Sequence, residues 1–193
     1  MVQSTLPLPK DLDERAEDLF REHQQGIHRN TDRLFAALMF FQWSGGILAA
    51  NWILPQTWVE GSIHLARHVW GSVLLGGGIA GVAILFALLQ PGRAATRHVI
   101  AVAQMLMSGL LVHQVGGQIE MHFYAFGSLA FLAFYRDWKV LISATLVAAL
   151  DRMIRGLWWP QSIFGAAQVS SWLWVEHVGL LAFANVFLIR SCL

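Results

Sequence analysis

The stretch His98-Val99-Ile100-Ala101-Val102-Ala103-Gln104-Met105-Leu106-Met107-Ser108-Gly109-Leu110-Leu111-Val112-His113-Gln114-Val115 decides the fold. It holds eighteen residues without a Lys, Arg, Asp or Glu. A helix needs roughly 20 mostly apolar residues to cross a bilayer's hydrocarbon, so this stretch stands near the lower limit for a crossing. Five others resemble it. They run from about Leu34 to Leu54, His68 to Leu89, Glu120 to Tyr135, Val140 to Gly156 and Trp172 to Ile189. Pro55, the Gln90-Pro91-Gly92 turn, Gly116-Gly117 and Arg136-Asp137-Trp138-Lys139 separate them. The expected fold is all-α: an integral membrane bundle of six transmembrane helices. Several stretches are short enough that the helices should run past their apolar limits.

Composition agrees. Hydrophobic residues make up 56% of the 193-residue chain and charged residues 13%, with a mean hydropathy of +0.52. Soluble domains carry about twice that share of charge. A disordered chain is excluded, and a simple soluble domain does not fit. Cys192 stands alone, which excludes a disulfide framework within the chain. A net charge of +1 leaves no basic patch large enough for a nucleic acid, so none is expected as a partner.

The first 33 residues differ from the rest. Leu12, Ala16, Leu19, Phe20, His23 and Ile27 recur at helical spacing among most of the chain's acidic residues. This predicts an amphipathic helix lying on the membrane or pairing with a partner. Acidic residues stand where a secretory leader needs positive charge, so it is not read as a signal peptide. With this segment in the cytoplasm, ten Lys and Arg residues fall inside and three (Arg67, Arg152, Arg155) outside. That bias places both termini inside, as an even number of crossings requires. Most of the tryptophans then crowd at the outer interface. Gly77 and Gly81 have the small-xxx-small spacing of close helix contact, within one bundle or at a dimer seam.

Ionisable groups in a membrane are costly and usually paired or functional. Here they gather at one depth. His64 and His68 open the second stretch, His113 ends the third, Glu120 and His122 open the fourth, Asp151 ends the fifth, and Glu176 and His177 open the sixth. His64 and His68 are four apart, on one helix face, a spacing suited to a shared metal ion. Asp151 and Arg155 are also four apart and are expected to neutralise each other. Neutral imidazoles with carboxylates suit Zn, Cu or Fe without choosing among them. Haem is the alternative, with His113, His122 or His177 as axial ligand, and a proton-sensitive cluster is another. Gln104, Ser108 and Ser143 read as packing contacts. No G-x-S-x-G, P-loop, H-E-x-x-H or dinucleotide fingerprint is present.

Several long strings resemble the N-terminal membrane sensor region of bacterial hybrid histidine kinases. They are Phe20-Arg21-Glu22-His23-Gln24-Gln25, Thr31-Asp32-Arg33-Leu34-Phe35, Thr96-Arg97-His98-Val99-Ile100-Ala101-Val102 and Phe126-Gly127-Ser128-Leu129-Ala130-Phe131-Leu132-Ala133-Phe134-Tyr135-Arg136-Asp137-Trp138. Trp159-Pro160-Gln161-Ser162 and Val186-Phe187-Leu188-Ile189-Arg190-Ser191-Cys192 continue the likeness. Some chemotaxis receptors carry a similar fourth span. The resemblance implies a cytoplasmic segment over residues 1–33 and a six-helix transmembrane sensor domain over residues 34–193. It implies the bacterial inner membrane, a homodimer, and a two-component signalling module on the cytoplasmic side of the last helix. It further implies a histidine-rich outer site. This chain keeps His68, His113, Glu120, His122, Asp151 and His177 of that pattern. Where the pattern has further histidines it has Ala66, Tyr124 and Arg152, and where the pattern has an acidic pair it has Ala184-Asn185.

The function expected is signal input: a metal ion, haem-bound or small ligand held near the outer face shifts the last helix. A membrane metalloenzyme using the same cluster is the first rival. A plain anchor and dimerisation domain is the second.

Overall fold

A computed structural model describes residues 10–52, 70–115, 117, 119–164 and 172–192. Among these, seven α-helices occur and no strand. They are α1 (Lys10–Trp52), α2 (Gly77–Leu89), α3 (Ala94–Gln114), α4 (Ile119–Leu132), α5 (Trp138–Trp158), α6 (Gln161–Phe164) and α7 (Leu173–Cys192). A π-helical turn, Ser72–Gly76, leads into α2, and a 3-10 turn, Ala133–Tyr135, ends α4. The all-α expectation holds.

Several helices overrun their apolar limits, as expected. α3 starts four residues before His98, and α7 continues through Cys192. Polar ends are tolerated because a helix stops where its backbone is turned or capped, not where hydropathy falls. The carboxylate of Asp137 accepts the Lys139 N–H at 3.1 Å and so caps α5. Gly92, at φ +84°, turns the chain between α2 and α3. At the first boundary the helix does not stop: α1 is a single 43-residue rod through both the amphipathic segment and the first apolar stretch.

α3 runs through the middle, packed by α1, α2, α4 and α5. Its small and flexible residues Ala101, Ala103, Met105, Met107 and Gly109 are buried. Ala80, Ala83 and Ala87 give α2 its packed face. Gly76 and Gly77 lie against the Trp43 indole of α1, where a Cβ would stand 3.1 and 3.3 Å from it. Gly81 faces open space, so the two glycines do not share a seam. Two of the polar mid-helix groups bind across the bundle: Gln104 donates to Ser128 at 3.0 Å, and Ser143 meets His98 at 2.9 Å, whereas the buried Ser108 hydroxyl has no partner among the described residues.

Two of the described helices, α3 and α7, are long and apolar enough to cross a membrane. Val73–Leu89 and Met121–Tyr135 are shorter apolar helices. α3 is mostly buried by the bundle, whereas α7 packs on one side only and exposes Leu180, Phe183, Val186 and Phe187.

Candidate functional site

His122 lies near the start of α4 and is only 6% exposed. Its Nε2 stands 3.0 Å from the carbonyl oxygen of Ile163 in α6. A carbonyl only accepts, so Nε2 carries the proton and Nδ1 is left as a lone pair. That Nδ1 makes no hydrogen bond among the described residues. His177, in the first turns of α7, is fixed the other way. Its Nδ1 donates to the Leu173 carbonyl at 2.8 Å. The two rings stand 4.7 Å apart and are tilted by 54°. Phe164 stacks parallel to His122 at 6.2 Å and tilts against His177 at 5.2 Å. Three elements therefore converge on one pair of imidazoles.

Behind this pair, α5 presents Asp151, Arg152 and Arg155. Arg155 grips Asp151 with two nitrogens, Nε at 2.8 Å and a second terminal nitrogen. It also donates to the Gly109 carbonyl of α3 at 3.1 Å. The approach needs a glycine, since a Cβ at Gly109 would stand 2.9 Å from Arg155 and 3.0 Å from Asp151. Arg152 is 3% exposed; its nearest carboxylate oxygen, on Asp151, is 3.9 Å away, and its Nε has no partner among the described residues. One carboxylate thus faces two guanidiniums. A buried charge without full compensation is expensive, and among the described residues the surplus here is positive.

The convergence expected at the outer end is therefore partly present. His122 and His177 meet. His113 packs on Trp159 at 4.9 Å and shares a crevice with Asp151 and Arg155. Asp151, expected as a ligand, has both oxygens held by arginine, and the expected Asp151–Arg155 pairing is present. Glu120 lies in the first turn of α4, but its side chain is outside the described residues, as are His64 and His68. Among the described residues no group of three or more His, Cys, Asp or Glu is placed to hold a metal ion.

A structural Zn site takes four ligands, and even a catalytic one takes three from the protein. The described residues bring together two imidazoles, with a guanidinium charge nearby. Haem needs an imidazole nitrogen facing an open flat cavity. His122 is buried, and Phe164 lies against both the His122 and His177 rings.

A second polar cluster lies at the opposite end, and spacing alone did not reveal it. Asp32 of α1 is fully buried. It accepts from the Tyr135 hydroxyl at 2.7 Å and from the Gly92 N–H at 2.6 Å. Tyr135 stacks on Phe35 at 5.5 Å. His28, one turn before Asp32, has Nε2 3.2 Å from the Tyr135 carbonyl and Nδ1 2.5 Å from Arg97. Arg97 only donates, so His28 is neutral and bridges the two. Arg97 also pairs with Asp137 at 3.2 Å. Burial, helped by Arg97, holds His28 below its ordinary range. Burial pushes Asp32 up, against the pull of its two hydrogen bonds. Asp32, Arg97, Tyr135 and Asp137 all belong to strings that carry the resemblance described above, and that was the signal available in the sequence.

No family model, no curated protein and no solved structure matches the chain.

Proposed function

We propose that the chain is the signal-input domain of a bacterial membrane sensor. In this reading it crosses the inner membrane six times, with both termini in the cytoplasm, and works as a homodimer joined to a cytoplasmic kinase-type module. The observation that carries it is the His122–His177–Phe164 convergence beside a buried, under-compensated Arg152. Groups so costly to bury are kept where something binds or switches.

The relay follows from α7. His177 stands near its outer end. Fifteen residues on, about 22 Å along the helix axis, Cys192 packs against the Ala133 carbonyl beside Tyr135. α7 is held on one side, through Asn185 to the Leu141 carbonyl at 3.3 Å among other contacts. A small ligand that draws His177 towards His122, or parts them, moves one end of a helix whose other end touches the Asp32–Tyr135 cluster. A ten-fold change in output needs only about 1.4 kcal/mol of differential binding.

The test joins the chain after Leu193 to a cytoplasmic kinase with a transcriptional reporter. His122→Ala and His177→Ala should each change basal output about five-fold or more, a difference of roughly 1 kcal/mol. Unchanged output in both, with normal membrane levels, leaves the anchor reading. Elemental analysis and an optical spectrum of the purified protein decide the ligand. Near-stoichiometric metal without a Soret band would bring His64 and His68 into the site, and a Soret band would select haem.

A further inference from the structure

The first half of α1 presents a face far from the imidazole pair. Leu12, Ala16, Leu19, Phe20, His23 and Ile27 fall on one side of the helix. Of these, Leu12, Leu19 and Phe20 are 49%, 59% and 62% exposed. Where the stripe reaches the bundle, Phe20, His23 and Ile27 wall a cavity of about 200 Å³ with Tyr135, Arg136 and Cys192, among others. An open apolar strip therefore leads into a pocket shared by α1, the 3-10 turn and the end of α7.

Charge decides what covers the strip. Between Leu12 and His28 five carboxylates, Asp13, Glu14, Glu17, Asp18 and Glu22, stand against two cations, Arg15 and Arg21. Arg21 pairs with Glu17 at 3.1 Å, both well exposed. At about 100° per residue, Asp13 borders the stripe on one side, and Asp18 and Glu22 on the other with Arg15 beside them. A bilayer surface is a poor cover, because anionic leaflets attract basic helices and repel acidic ones. A second copy is a poor cover too, since each would bring the same negative excess to the seam. α1 also passes from this segment into the first apolar stretch without a break. In the proposed crossing the stripe then leads away from the lipid rather than along it.

We infer that the Leu12 to His28 part of α1 docks a basic amphipathic helix of a separate protein. The partner's apolar side chains lie on Leu12, Leu19 and Phe20, and one large uncharged side chain enters the cavity as its anchor. Its Lys and Arg flanks face Asp13, Asp18 and Glu22, which speeds encounter and rejects acidic helices. Arg136 in the cavity wall excludes a cationic anchor. The inference rests on the proposed membrane crossing only for the direction of the helix and the side of the bilayer on which the partner is met.

The test uses the full chain in dioleoylphosphatidylcholine nanodiscs and fluorescent peptides of about 18 residues, five helical turns. One peptide carries a Leu stripe with a single Trp, flanked by Lys. A second has Glu in place of Lys, and a third is the first with its order scrambled. After subtraction of empty nanodiscs, the Leu–Lys peptide should bind at least about ten-fold tighter than either of the others. Leu19→Asp and Phe20→Asp, at exposed positions where the fold tolerates change, should each weaken it about five-fold or more. Gln25→Asp, exposed on the opposite face, should not weaken it. Equal binding of the Leu–Glu or scrambled peptide, or undiminished binding by Leu19→Asp, overturns the assignment. So does a disulfide-linked dimer formed by Leu12→Cys in a Cys192→Ser background, which would put a second copy on the stripe. Nitroxides carried by Leu19→Cys and by Phe41→Cys, an exposed position in the first apolar stretch, separate the docking from the crossing itself. Aqueous nickel should reach the first and not the second. If it reaches neither, the stripe lies in lipid and the docking is overturned while the crossing stands. If it reaches both, the crossing fails and the peptide comparison alone decides the docking.

Discussion

The two ends of the bundle handle buried polarity in opposite ways. At the Asp32 end, Asp32 accepts two hydrogen bonds, His28 uses both ring nitrogens and Arg97 reaches both His28 and Asp137, with only its Nε left without a partner among the described residues of this cluster. At the His122 end, His122 and Arg152 each keep a buried nitrogen without a partner among the described residues, and two guanidiniums there share the Asp151 carboxylate. Bonds that are made hold a structure in place. Bonds left unmade cost free energy and are retained where a ligand completes them. In the proposed reading the Asp32 end fastens the bundle and the His122 end receives the signal.

The sharpest way to break this contrast is Asp32→Ala. It leaves the Tyr135 hydroxyl and the Gly92 N–H buried without an acceptor, and should lower stability by about 3 kcal/mol. Thermal unfolding in nanodiscs would show this as a large fall in Tm, and a fall no greater than that of a surface substitution would end the idea of a fastening. Gly109→Ala comes next. The added Cβ forces Arg155 and Asp151 off α3, with an expected loss of about 2 kcal/mol by the same measurement. His177→Leu sharpens the comparison from the other side. It removes a group that bonds only within its own helix turn, so stability should change by less than about 1 kcal/mol while reporter output shifts.

The smallest effect is in pH. The folded value of His28 lies below its ordinary 6.5. As pH falls below about 6.5, the unfolded chain takes up a proton that the folded chain refuses, so stability declines down to the folded value. Asp32 works in the opposite sense and in a more acid range. Its folded value lies above 3.8, so its contribution declines as pH rises from there. Lowering pH from 7.5 to 5.5 should therefore reduce Tm modestly, by under about 1 kcal/mol in stability. His28→Gln should show a smaller drop, and an equal drop would assign the effect to other histidines.

The outer end was more legible in sequence than the inner end, for a physical reason. Asp151 and Arg155 meet because a helix brings i and i+4 together, and that spacing is visible without a fold. His122 and His177 were legible only as groups at a common depth; their contact depends on how α4, α6 and α7 pack. Asp151 is held by the guanidinium of Arg155, as their spacing suggested. The inner cluster joins residues 60, 103 and 107 positions apart, so no local period announces it. The continuity of α1 was also hidden, because a change from charged to apolar composition looks like a boundary even where the backbone does not break.

That continuity has a mechanical consequence. Forty-three helical residues make a rod about 65 Å long, roughly twice the hydrocarbon thickness. Set in a bilayer as proposed, such a rod must extend far beyond the lipid, with its fulcrum near Asp32 where Tyr135 and Gly92 clasp it. A few degrees of tilt inside the membrane then become a sweep of several ångströms at the far tip.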